Sequence, residues 1–568
     1  MIARYVVSPR GGRRAHPDIA SALRAAEARG RAALIEIAPG RYEETLTVRG
    51  EVRLVAAEGP GSVVVGRPRS TVLDTYGSVH VQGLTLVGRE ADVVGCHSGA
   101  LTLEHTEIWA HNGVALHARP HTSVTLRDGV IAHGRALFTG GAGLVERCRF
   151  TDAADNAIAV LEGARVTVRG SRIEGSRIHG LRVSDAQAEV VGCELTGTGQ
   201  AALWADARAR LTVTDCTITA VHAEGIVFTE QSRGSVDHTN ITGARHGIAA
   251  ASGADPLVRG CVLTDCHDTG INVQTEARGR FEDCHVVNAG NVAVFATKGG
   301  APEMHGGLIT GGNVGIAVTE GARGRFTHLR VEDLTSLALR VRSGSAAVFD
   351  HVRVERCPCG LEAQGDSGTT ADLTDTVFRD FSLPAVTAAG QTRVTLRRVT
   401  AVRGAVGFGV TEHAQLFLHD CEASEVTSGG VAGTGNGRLF ARNLTVTDSE
   451  GIGICARDSA YLDVANSTFT DCAVAGAVFG GECSGRLADC SVNGTRGKAV
   501  QHNGQVELVS LRTSLPVVRE AAPPPGPAPT IVNRFEGPVI HGDVHGAQFA
   551  WNNDHVVQQQ TEGEDSPS

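Results

Sequence analysis

The chain of 568 residues has few aromatic side chains: Phe, Tyr and Trp make up 4%, with three Trp and four Tyr. Several globular cores would draw much of their bulk from aromatic rings, so the shortage argues against a string of independent globular domains. Lysine is nearly missing too, since Lys298 and Lys498 are the only lysines among 52 basic residues. Those residues are spread without a basic block, and with a net charge of −10 no nucleic-acid partner is predicted. No stretch reaches the roughly 18 apolar residues of a membrane helix, so no membrane partner is predicted either. The first residues, MIARYVVSPRGGRRAHP, place no apolar run before their charges, and the 14 cysteines are too thinly spread for a disulfide-stapled secreted scaffold. A cytoplasmic chain with reduced thiols is the expectation.

Glycine is abundant instead, at 71 residues. A phrase of small residue, apolar, any, apolar recurs as Gly180-Leu181-Arg182-Val183, Gly225-Ile226-Val227-Phe228, Gly270-Ile271-Asn272-Val273 and Gly315-Ile316-Ala317-Val318. Its first apolar position falls at 114, 137, 158, 181, 203, 226 and so on through 431, 452, 477 and 500. The mean step is about 22.7 residues, the signature of a solenoid. A second alternating run follows in each repeat, as in Leu211 to Ile218, so each repeat holds two or three short half-buried strands and no room for a helix. The predicted fold is all-β: a right-handed parallel β-helix of about 20 coils. Cys148, Cys193, Cys216, Cys261, Cys284, Cys421 and Cys490 keep one phase in the repeat and are predicted to form a buried ladder of small side chains. Ser171, Thr239, Gly307, Leu329, Val352, Thr376 and Ser467 fall at or near the same rung. Cys357-Pro358-Cys359 is out of that phase, a CxC with no partner ligands nearby and so a weak candidate for a soft metal.

The predicted organisation is an N-terminal cap and first coils at 1–70, repeats at 71–512, a Pro-rich linker at 513–530, a self-assembly motif at 531–560 and an acidic end at 561–568. Pro17 to Arg29 reads as a short capping helix, with Pro near its start and Gly30 after it. That helix, the turn Pro39-Gly40-Arg41-Tyr42-Glu43-Glu44 and the later G-I-x-V coils resemble the right-handed β-helix proteins of the pectin-lyase-like superfamily over about residues 1–512. In the flexible tail, Asn533, Phe535, Gly537, Val539, Gly542, Val544, Gly546, Gln548 and Phe549 alternate small and apolar residues. This segment resembles the short amyloid-signalling motifs at the ends of actinobacterial effectors and receptors, related in logic to RHIM motifs; Pro538 and the late Gln depart from the pattern. The resemblance implies self-assembly with a partner bearing a matching motif.

In the superfamily resembled here, enzymes work on the outer face of the first strand, the x of each G-I-x-V phrase. From the anchors above, that face reads Ala115, Phe138, Ala159, Arg182, Trp204, Val227 and onward through Arg340, Glu362 and Gly453. It carries no acidic cluster of the kind Ca²⁺ needs, so no metal or cofactor is predicted outside a lyase reading, where Ca²⁺ would be implied. The catalytic candidates are Arg182, Asp185 and Asp206, with Trp204 as a ring platform for a sugar. Arg340 and Glu362 read as a surface ion pair, and the repeated Thr-Glu at 229–230, 275–276, 319–320 and 411–412 as turn chemistry. The leading reading is a non-catalytic binding scaffold joined to the self-assembly motif; the alternative is a polysaccharide lyase or glycoside hydrolase. A third possibility is a module for an ATPase or receptor on another chain, since no Walker phrase is present.

Overall fold

A computed structural model describes residues 2–11, 15–111 and 113–519. Residues 531–560, with the self-assembly motif, lie outside the described residues, as does most of the linker. The described chain is a parallel β-solenoid of about 21 turns. Its one helix, α1 (Ile19–Arg29), is begun by Asp18, whose carboxylate accepts from the Ser21 amide at 2.7 Å, and is ended by Gly30 in the left-handed region at φ 59°. The Pro-Gly-x-Tyr-x-Glu turn serves this helix directly. Glu44 accepts from the free amides of Ile19 and Ala20 at 3.0 and 2.8 Å, an anion placed on a helix N-terminus. The Tyr42 hydroxyl donates to the Ala38 carbonyl at 2.8 Å.

Most coils have three short strands, which merge into one continuous strand at Arg278–Ala296 and at Ala301–Val318, and the strands of successive coils pair in parallel. Leu181, Leu203, Ile226, Ile248 and Ile271 are consecutive rungs of the first ladder, all fully buried. Alternate residues point in and form one continuous apolar core, while the others face out. The pairing corrects three of the anchors read from sequence. Leu116 and Ala136 are the equivalents of Ile158, in place of 114 and 137, and Ile454 replaces 452. One coil, from Leu116 to Ala136, is short, and its strand carries an irregularity between Val114 and Leu116.

The corners explain the polar punctuation. Between the second and third strands one residue per coil adopts the left-handed conformation, including Asp128, Arg147, Asp215, His238, Asp283 and Asp420. The residue after it is the ladder position that holds the seven cysteines, and its side chain closes the corner. Cys148 Sγ donates to the Glu146 carbonyl at 3.3 Å and Cys216 Sγ to that of Thr214 at 3.3 Å. Ser171 and Thr239 do the same with hydroxyls, at 3.0 and 3.1 Å. The slot therefore takes small side chains that hydrogen-bond to this carbonyl, and at Leu329 and Val352 it is filled by buried apolar ones instead. Cys357 belongs to a second buried slot, at the third corner, with Cys266 and Cys472. The Glu of each Thr-Glu pair sits in a left-handed corner; Glu412 accepts from the Gly390 amide at 2.7 Å and Glu320 from Thr297 Oγ1 at 3.0 Å.

Burial pushes the thiols of Cys148 and Cys261 up to about 11 and that of Cys284 to about 12, so they stay protonated at neutral pH. In the native chain at pH 8 these ladder thiols should resist Ellman's reagent, and all 14 thiols should react after denaturation. Fast native modification of Cys148, Cys261 or Cys284, read by peptide mass mapping, would contradict the ladder.

Candidate functional site

In the corrected register the outer positions of the first strands run Thr47, Asp74, Gly95, His117, Leu137, Ala159, Arg182, Trp204. His117 and Leu137 replace Ala115 and Phe138, both of which are buried inside, and Cys455 replaces Gly453 downstream. The shift exposes a site near the N-terminal end that the uncorrected phase hid.

The site depends on a bulge. Thr75 pairs with Cys96 but Tyr76 with Ser98, so His97 is an extra residue, and bulges of this kind re-aim a side chain. The His97 ring folds over Gly95, where a Cβ would stand 2.9 Å from Nε2 and 2.7 Å from Asp74 Oδ1. Only glycine leaves room for His97 Nε2 to meet Asp74 Oδ1 at 2.6 Å. Tyr76 stacks on the imidazole with centroids 4.6 Å apart and planes 7° off parallel, and the Arg49 guanidinium lies 5.0 Å from the tyrosine ring centre.

A second dyad sits one rung on. His117 Nδ1 donates to Asp92 Oδ2 at 3.1 Å, and its Nε2 faces Thr139 Oγ1 at 3.4 Å. The hydrogen bond from His117 holds the Asp92 carboxyl below the usual carboxylate range against the opposing effect of burial, helped by the charges of Arg119 and Arg135. An ionised carboxylate only accepts, so each dyad fixes a tautomer. In His97 the proton sits on Nε2 and the lone pair on Nδ1, which has no hydrogen-bond partner among the described residues. In His117 the lone pair is on Nε2. Two oriented imidazoles and a phenol that is 37% exposed thus share one open face, the side-chain types that general acid–base chemistry uses.

Farther along the same face the structure brings together Arg182, Trp204 and Asp206, but not Asp185. Asp206 Oδ2 accepts from Arg182 Nε and Nη2 at 3.1 and 2.8 Å and from Trp204 Nε1 at 2.8 Å. Asp206 is buried, with Oδ1 unpartnered, whereas Asp185 is an exposed corner residue at φ 47°. Trp204 stacks on His179 at 4.9 Å and packs against Ala201, Val227 and Ala249, so its ring is engaged by protein. Burial lowers the pKa of His179, and the Arg182 charge adds to that. Arg340 and Glu362 are also more than a surface pair: Glu362 is 4% exposed and binds Arg342 as well. Lys298 is a left-handed corner residue.

Among the described residues, Asp350, His351 and Asp375 are the one group whose ligand atoms converge as a metal site requires, within 4.8 Å. Asp375 is already held by two hydrogen bonds from Arg398, both 2.7 Å. The two dyads offer two carboxylates, each bound by an imidazole, far short of the six or more oxygens Ca²⁺ takes.

Comparison with known proteins returns no curated sequence. Among solved structures the chain is similar to a PL6 family alginate lyase, AlyGC (9% identity, TM-score 0.23, covering 90% of this chain and 100% of that one). It is also similar to the catalytic unit of a GH87 α-1,3-glucanase from Streptomyces thermodiastaticus (14%, 0.19, 83% and 66%). A third is the A-module of the Azotobacter vinelandii mannuronan C-5 epimerase AlgE6 (11%, 0.16, 88% and 94%). Likenesses this slight carry no argument about activity. The family model of the right handed beta helix region matches residues 93–253, 184–333, 247–372 and 359–511, which together make up most of the sequence. The chain belongs to that right-handed β-helix family.

Proposed function

We propose that the chain is a polysaccharide-active enzyme, of the lyase kind, working by proton transfer on the outer face of its first strands. The observation that carries this reading is the Asp74–His97 dyad, assembled by a bulge and a glycine that an ordinary solenoid coil has no need of. An open strip along stacked rungs suits an extended polymer better than a small molecule, which is usually enclosed. Hydrolysis of glycosides ordinarily relies on a pair of carboxylates, whereas here both carboxylates are committed to imidazoles, so the imidazoles are the available bases. In an acidic sugar the carbon next to the carboxylate carries an acidified proton. His97 Nδ1 takes that proton, the electron pair forms a C=C bond, and the glycosidic oxygen leaves with a proton from Tyr76 or protonated His117. Exposed Arg119, close enough to act on Asp92, adds a positive charge that suits an anionic polymer. The non-catalytic scaffold reading has no use for this constellation.

The test is a panel of acidic and neutral polysaccharides, with and without Ca²⁺, read by ultraviolet absorbance of unsaturated ends. Cleavage of an acidic polymer should fall at least about 100-fold in His97→Ala. A silent panel, or an active His97→Ala variant, sinks the proposal.

A further inference from the structure

Ten or so rungs beyond His117, roughly 48 Å at the spacing of parallel strands, the same face carries an unbalanced charge. Arg340 Nε donates to Glu362 Oε2 at 2.9 Å and Arg342 Nη2 to Glu362 Oε1 at 2.6 Å. Two guanidiniums thus share one carboxylate, and no second carboxylate is within ion-pair distance of either among the described residues. The side chains are 20%, 15% and 5% exposed for Arg340, Arg342 and Glu362, and Arg342 Nε is buried with no hydrogen-bond partner. A buried donor left unmade is costly, and a charge this sheltered from water normally has a counter-charge. Beside it Val314, Ala317 and Leu337 form a separate outer cluster that is itself buried, with half-buried Phe295 packed against it, and Ala317 is the rung neighbour of Arg340.

We infer that Arg340 and Arg342 form a binding site for an oxyanion, a carboxylate or sulfate. Guanidinium is the group best matched to such anions, because its planar fork offers paired donors. Glu362 holds the fork in place and cancels half its charge, so it both organises the site and competes with the ligand. The site does not rest on the acid–base reading of the dyads and stands or falls separately from it.

The experiment uses the full chain, with sodium benzoate and sodium sulfate as probes, by calorimetry and ligand-observed NMR at an ionic strength held constant with chloride. Both should bind. Arg342→Met should weaken binding at least tenfold, Arg342→Lys less, and Glu362→Gln should tighten it several-fold. The inference is overturned if neither probe binds the native chain, or if Arg342→Met binds as the native chain does. Should Arg342→Met fail to fold, Glu362→Gln decides: tighter binding supports the site, and unchanged or weaker binding overturns it. An oligogalacturonate that competes with benzoate identifies the source as a polymer-borne carboxylate; failure to compete while benzoate binds identifies a free small anion.

Discussion

Gly95→Ala should lower kcat/KM on the cleaved polymer about 100-fold while leaving the thermal midpoint within a few degrees of the parent. The new methyl group would stand 2.7 Å from Asp74 Oδ1 and 2.9 Å from His97 Nε2. Both are ends of side chains that can rotate away, so the coil accommodates the change and the dyad does not. Misplacement of a reacting group by about an ångström is enough for a loss of that size. A readout free of any assumed activity is the crystal structure of the variant, in which His97 Nε2 should have left Asp74. An unchanged dyad with unchanged turnover would show that Gly95 is not what holds His97 against Asp74.

Phe349→Ala should have the largest effect on stability, a loss of about 3–5 kcal/mol. Phe349 is fully buried and stacks on Phe326 one coil earlier, centroids 5.2 Å apart and planes 17° off parallel. In a solenoid each coil touches only its neighbours, so cooperativity passes through each interface in turn. The cavity should therefore loosen a seam, raising hydrogen exchange over residues 323–374 while coils far from it keep their protection. A uniform change along the chain would show that the coils are coupled more widely than nearest-neighbour contacts allow.

The period, the buried rungs and the capping helix were legible because each follows a rule repeated once per coil. The cysteine ladder was legible for the same reason, although only the carbonyls of Glu146 and Thr214 explain why the slot takes Cys, Ser and Thr. The dyads were not legible, because they arise where the rule breaks. His97 is an inserted residue, and the coil after Leu116 is short, so the small-apolar-x-apolar phrase falls out of register there and points to buried Ala115 and Phe138 where His117 and Leu137 belong. Alternation alone could have found His117, since it lies between inward-facing Leu116 and Ala118. Arg342 was hidden for another reason: it stands two residues past Arg340 on the same strand face, beyond the one outward position that each G-I-x-V phrase marks.

The pairing of each strand with the one before it bears on how the chain is made as well as on what it presents. Ala188 pairs with Leu211, a separation of 23 residues in a chain of 568, about 0.04 of its length and below the range of fast-folding helical bundles. Sheet proteins usually fold slowly because their partners are distant in sequence. Here every newly synthesised segment finds its partner already in place, so the ribosome can hand over the solenoid one coil at a time, with α1 and the first strands as the template for all that follow.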